Sequence, residues 1–363
     1  MNSEKNFAIV NYSRQWDGTA IAARIYHNTL VELGYEPSWY QLADSFDVQD
    51  YMQFPKIIRG SRFPLNSVRP GWDRLVFFPG KRSFITEKNV FLSDPTLIRT
   101  AIGKNFMVKV HDVNPLTKYR EKWTSWAMFK YAMPKLKSAA SIIVTTDYMK
   151  RVISSYYPDL ERISVVPEPV IWTTLPVIDE NVRNFDETGN KQILYVAADR
   201  PYKNIRKFLD IAAEFQRRAV DDFHFTLVTK PKDTTLAHFK TLGLKNTKIL
   251  TNVQDMKEVY SKTNLLVYPS LYEGFGRPIV EAMSYGIPSI SLKIDPFNEI
   301  IRQDGILLDK DDLAIWIEAI QYLSEKEKYA IYSSRAKKAY ESRYSIGIFK
   351  SALNNAFKKF LEG

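Results

Sequence analysis

Short apolar runs rich in Val, Ile and aromatic residues alternate with longer amphipathic segments along this 363-residue chain. This alternation is typical of strands that are each followed by a helix, and it predicts parallel sheets covered by helices. The predicted strands of the first half are residues 7–13, 37–42, 74–80, 107–113, 141–147 and 163–169. Those of the second half are residues 191–197, 224–230, 247–253, 264–270, 288–292 and 305–309. We therefore predict an α/β protein with two doubly wound domains that face each other across a cleft.

The alternation stops between the two halves, at residues 169–190, which are polar, carry prolines early and end in a turn signal. Such a composition suits a connector between domains better than a strand or a helix. We therefore assign residues 1–170 to a first domain, 171–190 to a linker and 191–344 to a second domain. We also predict that a C-terminal helix over residues 345–363 packs back onto the first domain.

Cysteine and histidine usage restricts the chemistry that is available to the chain. The absence of Cys excludes a disulfide framework and a thiolate metal site, and four His leave little material for an imidazole site. We therefore expect no metal and no bound cofactor. No window approaches the roughly 18 apolar residues of a membrane span. The first residues also lack the basic-then-apolar order of a signal peptide, so we expect a cytoplasmic protein.

The net charge of +10 is unevenly distributed, because residues 1–170 hold 23 Lys and Arg against 16 Asp and Glu, which leaves +7 in the first half. Within that half, one stretch interleaved with aromatic residues contains Lys56, Arg59, Arg62, Arg69, Arg74, Lys81, Arg82 and Lys88. Such a stretch is typical of nucleic-acid binding, of an anionic membrane face or of a plain solvated surface. No nucleic-acid motif accompanies it, so we predict an anionic membrane surface or a lipid-linked acceptor as its partner and expect no nucleic acid.

Residues 268–288, YPSLYEGFGRPIVEAMSYGIP, place Glu273 and Glu281 on either side of a turn that contains Gly274 and Gly276. The preceding strand would deliver this turn to the carboxyl edge of the second sheet, where ligands of doubly wound folds bind. Glycine allows a tight turn and a close approach of the backbone to a ligand, and the helix that follows begins with unpaired N–H groups. Carboxylates accept hydrogen bonds from paired hydroxyls, so the glutamates predict a ligand with vicinal diols, such as a ribose and a hexose.

This stretch resembles the E-x7-E signature of glycosyltransferase family 4, a group of retaining enzymes with the GT-B fold. The matching residues are Ser270, Glu273, Gly274, Phe275, Gly276, Pro278, Glu281, Ala282, Gly286 and Pro288. The resemblance implies a GT-B protein built of two Rossmann-like domains. It also implies a metal-independent hexosyltransferase that moves a sugar, with retention, from a UDP- or GDP-linked donor to a hydroxyl of a glycan or a lipid-linked acceptor held by the first domain.

Carried over by position, the resemblance implies that Glu273 orients the donor sugar and that Glu281 holds the ribose hydroxyls. It further implies that backbone amides of the glycine turn meet the sugar and the diphosphate. Pro278 has no N–H, so the last of these amides belongs to the residue before it. The candidate donor-binding residues of the turn are Gly274, Phe275, Gly276 and Arg277.

Residues 195–208, YVAADRPYKNIRKF, run from a strand edge into a basic helix start and resemble the strand-loop-Lys-Asn segment of the same family. The resemblance implies that Lys203 neutralises the diphosphate of the donor. A positive charge at that position would stabilise the transition state, because negative charge develops on the departing diphosphate. Ala197 and Ala198 stand where the family often has Gly and Arg, and we predict that Arg200 supplies the missing charge.

Three further positions in the first half resemble site residues of the family. His111, followed by Asp112, stands at the end of a predicted strand, where the family has a His-Asp pair whose His reaches the donor sugar. Thr146 takes the place of a serine and is equally compatible with a plain helix N-cap. Gly18 stands alone where the family usually has two adjacent glycines near the diphosphate and the acceptor, so that close contact is altered here.

Two other functions remain open from the sequence. A non-catalytic nucleotide-sugar-binding protein or partner subunit of the same fold would fit the reduced glycine loop at Gly18. A nucleic-acid binder would fit the basic first half, with binding that depends steeply on salt. The combination of Glu273, Glu281, Lys203 and His111 favours a transferase, because a protein that only binds needs fewer charged groups at its site.

Overall fold

A computed structural model describes residues 5–11, 18–41, 57–59, 85–120, 123–168, 170 and 190–362. The chain divides into two compact units. The first comprises Met1–Pro169 and Ile346–Gly363, and the second comprises Val170–Ser345. Each unit is built around one parallel sheet with helices, which confirms the predicted α/β class with two doubly wound domains.

The first unit contains a seven-stranded sheet in the order β3-β2-β1-β4-β5-β6-β7. Its strands are β1 Asn6–Asn11, β2 Glu36–Gln41, β3 Ile57–Arg59, β4 Asn89–Leu92, β5 Asn105–Val110, β6 Ser141–Val144 and β7 Ile163–Val165. The order reverses between β1 and β4, and Ile9 of β1 lies between Trp39 of β2 and Phe91 of β4. Five of the six strands predicted in this half are present, whereas the predicted strand 74–80 lies outside the described residues.

The helices of the first unit are α1 Gly18–Glu32, α2 Trp123–Ala132 and α3 Asp147–Tyr156, with 3-10 turns at Pro95–Ala101, Asn114–Leu116 and Met133–Ser138. Helix α1 ends before Gly34, whose positive φ of 82° lets Tyr35 N–H return to the carbonyl of Leu30. The C-terminal helix, Ile346–Glu362, buries Phe349 and Phe357 in one core with Phe7 of β1. The end of the chain thus belongs to the first unit.

The second unit contains a six-stranded sheet in the order β10-β9-β8-β11-β12-β13. Its strands are β8 Lys191–Val196, β9 Phe223–Val228, β10 Thr247–Leu250, β11 Leu265–Tyr268, β12 Ser289–Leu292 and β13 Ile306–Leu308. All six were predicted. The central strand β11, LLVY, is apolar and buried at every position, as expected of a parallel strand that is covered on both faces. The order reverses between β8 and β11, the point at which doubly wound sheets open a crevice for ligands.

The helices of the second unit are α4 Ile205–Arg217, α5 Asp233–Leu242, α6 Met256–Ser261, α7 Arg277–Ser284, α8 Phe297–Ile300, α9 Leu313–Leu323 and α10 Lys326–Ala339. A π-helical turn, Tyr340–Tyr344, follows α10 and leads to the C-terminal helix, α11 Ile346–Glu362. The core of this unit lies between the sheet and these helices and includes Phe208 of α4, Ile279 of α7 and Trp316 of α9.

Candidate active site

Two loops meet at the carboxyl edge of the second sheet, one after β8 and one after β11. The first loop forms a 3-10 turn, Pro201–Lys203, and enters α4 through Asn204, which has a positive φ of 53°. The second loop lies against it, because Leu271 N–H donates to the carbonyl of Tyr202 over 2.7 Å and Ser270 Oγ donates to the same carbonyl over 3.3 Å. Neighbouring strands on either side of the switch point therefore present both loops to one place.

Lys203 and Glu273 form an ion pair at this place, through Nζ and Oε1. Their side chains are only 14% and 10% exposed, so water screens the pair less than it screens a surface pair. Tyr268, the last residue of β11, donates a hydrogen bond to Glu273 Oε1 over 2.8 Å. Tyr195 of β8 donates to the carbonyl of Lys203. A tyrosine from each strand end thus holds one partner of the pair.

The two tyrosines remain hydrogen-bond donors over the physiological range. Burial raises the pKa of Tyr195 and of Tyr268 well above the usual value, and the charge of Glu273 raises both further. Their rings pack edge to face with centroids 5.2 Å apart, in the core of the unit. The carboxylate of Glu273 is therefore held by a rigid support rather than by a mobile surface side chain.

Glu281 lies in the second turn of α7 and is held in the same way. Tyr260 OH donates to Glu281 Oε2 over 2.7 Å, and Arg277 Nη2 lies 3.2 Å from Oε1. Burial and the Glu281 charge raise the pKa of Tyr260 well above the usual value, so the phenol remains a donor. Arg277, predicted to contribute its backbone amide, therefore also binds the second glutamate through its side chain.

The glycine turn between the glutamates requires glycine at Gly276 for two reasons. Its φ of 92° is in the left-handed region, and a Cβ built there would lie 2.8 Å from Phe297 Cε1. Gly276 is the N-cap of α7 and its carbonyl accepts from Ile279 N–H over 3.0 Å. Phe275 is buried with its ring against Tyr344, at 6.0 Å between centroids, so only its backbone is available to a ligand. Gly274 stands beside Glu273 in the same turn.

The remaining residues predicted for the donor lie at different places. Arg200 is exposed and begins the 3-10 turn, where its carbonyl accepts from Lys203 N–H over 2.9 Å. Gly18 is the first residue of α1 in the first unit. Thr146 Oγ1 accepts from Met149 N–H over 3.1 Å, which makes it the N-cap of α3, one of the two roles that its sequence position allowed.

His111 lies at the carboxyl edge of the first sheet, directly after β5, and lines a cavity with Asp94, Asp112 and Phe129. Its Nε2 is 3.2 Å from the carbonyl of Ser93, and its Nδ1 is 3.2 Å from Glu168 Oε1. The imidazole is therefore contacted on both nitrogens, and its side chain is 22% exposed.

Sequence reasoning missed the residues that support these groups. Glu168 contacts His111 and is itself paired with Lys109. Tyr260 and Tyr268 support the glutamates, and Tyr195 supports Lys203. For Lys109 there was a signal, since a lysine that stands between apolar residues near the end of the strand NFMVKV requires a buried partner. The tyrosines gave no such signal, because an aromatic residue in a buried strand, as for Tyr195 and Tyr268, or on a helix, as for Tyr260, is ordinary.

The described residues contain neither a metal-binding cluster nor a membrane-spanning helix. Across the ranges described above, no three or more His, Asp or Glu side chains form a group that could hold a metal ion. Within those same ranges, no helix combines the length and apolar character that a membrane crossing requires. Most of the basic stretch from Lys56 to Lys88 lies outside the described residues.

Comparison with a family model places similarity in the second unit. Residues 178–340 match the family model described as glycosyl transferases group 1. The O-antigen chain mannosyltransferase RfbU of Salmonella typhimurium is 26% identical over 232 residues, which are 61% of this chain and 62% of RfbU. The UDP-Gal:alpha-D-GlcNAc-diphosphoundecaprenol alpha-1,3-galactosyltransferase of Escherichia coli is 24% identical over 206 residues, 53% of each chain. The chain thus spans less than two thirds of the length of these curated relatives.

Solved structures resemble the protein over nearly its whole length. HepE from Anabaena, solved in complex with UDP and glucose, is 15% identical, with a TM-score of 0.75 over 96% of this chain and 98% of HepE. Sucrose-phosphate synthase from Thermosynechococcus elongatus is 13% identical, with a TM-score of 0.79 over 98% of this chain and 99% of the synthase.

These comparisons confirm the fold prediction and support a general class. The two parallel-sheet units have the architecture of GT-B glycosyltransferases. The family model and the named relatives support a glycosyltransferase.

Proposed function

We propose that the protein is a retaining hexosyltransferase of glycosyltransferase family 4, which takes a sugar from a UDP- or GDP-linked donor. The observation that carries this proposal is the supported ion pair of Lys203 and Glu273 at the switch point of the second sheet. A ligand with a diphosphate and a hexose offers an anion to the ammonium and hydroxyls to the carboxylate. The relatives named above, which include mannosyl- and galactosyltransferases, support the same class of donor.

In this proposal each charged group has one role. Lys203 and the amides at the start of α7 stabilise the negative charge that develops on the diphosphate, without a metal ion. Glu273 accepts hydrogen bonds from the hexose and sets its orientation. Glu281 accepts hydrogen bonds from the ribose hydroxyls. Arg200 adds a positive charge at the start of the 3-10 turn that contains Lys203.

We propose that His111 acts on the donor sugar and that the acceptor, a glycan or a lipid-linked molecule, binds to the first unit near Gly18. The acceptor hydroxyl would attack the anomeric carbon on the face from which the diphosphate leaves, and the diphosphate would take its proton. This route uses orientation and charge stabilisation rather than an enzyme nucleophile.

The proposal is tested with a panel of UDP-glucose, UDP-galactose, GDP-mannose, UDP and GDP in thermal unfolding. A ligand at about 100 times its Kd adds about 2.7 kcal/mol to the free energy of unfolding, which raises Tm by several degrees. We expect one nucleotide sugar and its nucleoside diphosphate to stabilise the protein, and Glu281→Gln to remove the effect. Proton NMR of the transferred sugar should then show the anomeric configuration of the donor. No stabilisation by any compound, or an inverted product, would contradict the proposal.

We further propose that the protein acts at the cytoplasmic face of an anionic membrane through the basic stretch Lys56–Lys88. Eight basic side chains stand in that stretch, enough for an electrostatic attachment that salt weakens. Flotation with vesicles of phosphatidylcholine alone and with added phosphatidylglycerol tests it. Binding should require the acidic lipid and fall with salt, whereas equal behaviour with both vesicles would disprove it.

A further inference from the structure

A buried group of three charged or titratable side chains lies behind the carboxyl edge of the first sheet. Lys109 is the fifth residue of β5, His111 follows that strand, and Glu168 stands three residues after β7. Lys109 Nζ lies 2.6 Å from Glu168 Oε1, and His111 Nδ1 lies 3.2 Å from the same oxygen. One carboxylate oxygen therefore contacts both the ammonium and the imidazole.

The charges of this group are arranged to remain in place. The side chains of Lys109 and Glu168 are 2% and 5% exposed, and the ammonium lies 4.2 Å from the centroid of the Tyr26 ring. Burial alone would raise the pKa of Glu168, but the Lys109 charge and the hydrogen bond from His111 outweigh it and hold that pKa well below the usual value. The carboxylate is therefore ionised and accepts hydrogen bonds without donating any.

The ionised carboxylate of Glu168 determines which ring nitrogen of His111 must carry a proton. Because Glu168 Oε1 only accepts, His111 Nδ1 satisfies it when Nδ1 carries a proton. The other nitrogen, Nε2, lies 3.2 Å from the carbonyl of Ser93, which also only accepts, so this second hydrogen bond forms when Nε2 carries a proton as well. The two contacts fix both the plane of the ring and its direction along the sheet edge.

We propose that Glu168 is a positioning residue for His111: its carboxylate, held by Lys109, keeps a proton on Nδ1 and fixes the ring at the sheet edge. The kinetic part of this inference rests on the proposed function, in which His111 acts on the donor sugar. The structural part concerns the ring itself and is independent of any substrate. A buried ion pair by itself is weak evidence that the pair stabilises the fold, because removing two charges from water costs about as much free energy as their attraction provides.

The structural part is tested by long-range nitrogen–proton NMR of the imidazole rings in the whole protein. The chain has four His, so comparison with His111→Ala assigns the His111 signals. We expect Nδ1 to carry a proton throughout the pH range in which the protein is folded. A ring that carries its only proton on Nε2 would overturn the proposal, whether or not any donor is turned over.

The double variant Lys109→Met, Glu168→Gln removes both charges together, so neither is left buried and unpaired. We expect the variant to keep its fold, to lose the fixed Nδ1 proton and to lose about tenfold to a hundredfold in turnover, the range known for removal of a partner that orients a metal-ligating histidine. In a His111→Ala background the same two changes should have no further effect on turnover. An unchanged Nδ1 signal, or equal losses in both backgrounds, would mean that Glu168 does not act through His111.

If the double variant does not fold, Glu168→Asp provides the second test. The shorter carboxylate keeps its charge beside Lys109 but moves away from the ring, so the fold should survive while the Nδ1 proton exchanges faster with water. Unchanged exchange in a folded variant would overturn the proposal. If no donor is turned over by the wild type, the proposed function fails, and the NMR result still decides the positioning role.

Discussion

Lys203 and Glu273 neutralise each other, and this pairing decides what each substitution should do. A donor diphosphate would compete with Glu273 for the ammonium, and a sugar hydroxyl would compete with Lys203 for the carboxylate. The pair thus keeps two buried charges compensated until the ligand arrives, since an unpaired buried charge is costly. Either single change leaves the other charge buried and unpaired, so we expect it to lower Tm as well as turnover.

We expect Lys203→Met and Glu273→Gln each to lower turnover about 10²- to 10³-fold, the range for loss of one group that stabilises developing charge. Initial rates of nucleoside diphosphate release measure this, with Tm as the check on folding. The matched control is Lys262→Met with Glu258→Gln, an ion pair between α6 and its C-cap residue whose side chains are both 68% exposed. Wild-type rates in both site variants would remove the catalytic assignment.

Substitution of Tyr268 and Tyr260, which donate hydrogen bonds to the two glutamates, should separate an effect on kcat from an effect on KM. Tyr268→Phe removes one donor to Glu273, and we expect a loss in kcat of about tenfold with little change in KM, since a hydrogen bond to a charged group is worth about 1.5–3 kcal/mol. Tyr260→Phe removes the donor to Glu281 and should instead raise KM for the donor. Steady-state kinetics with the best donor measure both effects. An effect of Tyr268→Phe on KM and of Tyr260→Phe on kcat would contradict the roles given to the glutamates.

At this scale the sequence predicts the residues that a local motif contains. Glu273, Glu281 and the glycine turn lie within one stretch, and their proximity follows from the turn and the helix. Lys203 was predicted from its own segment, and its ion pair with Glu273 bridges 70 positions. Glu168 was missed because its partners, Lys109 and His111, lie far away in sequence and only the sheet brings them together.

At the scale of elements, the turn before α7 combines two separate demands on Gly276. We expect Gly276→Ala to lower Tm more than Gly243→Ala, because both have a positive φ but only Gly276 would place its Cβ against an aromatic ring. The left-handed conformation alone costs about 1–2 kcal/mol, so Gly243→Ala measures that part. Thermal unfolding of both variants gives the comparison, and equal shifts would show that Phe297 moves aside without cost.

The elements themselves were predictable where the hydrophobic pattern was long and regular. Every strand of the second sheet was predicted, although five of the six end one to three residues earlier than the pattern indicates, because the residues that follow belong to the loops. The central strand β4 was missed, since NVFL offers only three apolar residues and stands after a long basic stretch. β4 is recognisable only from its pairing with β1 and β5.

For the whole molecule, the buried group around Glu168 predicts how stability depends on pH. The pKa of Glu168 is lowered by folding, so its stabilisation is present above the pKa of an unfolded glutamate and is lost as the pH falls toward the lower folded value. We expect the free energy of unfolding of the wild type, measured with urea, to fall between mildly and strongly acidic pH. The free energy of unfolding of the Lys109→Met, Glu168→Gln variant should fall less over the same interval. An equal fall in both proteins would contradict the ionised state of Glu168.

The central claim is that a nucleotide sugar binds at the switch point of the second sheet, between the loops after β8 and β11. The most direct measurement is a crystal structure with the nucleotide sugar that raises Tm most. We expect the diphosphate to lie within hydrogen-bond distance of Lys203 Nζ, the hexose to contact Glu273 and the ribose hydroxyls to donate to Glu281. A ligand bound at another place, with these three side chains still paired as they are in the free protein, would contradict it.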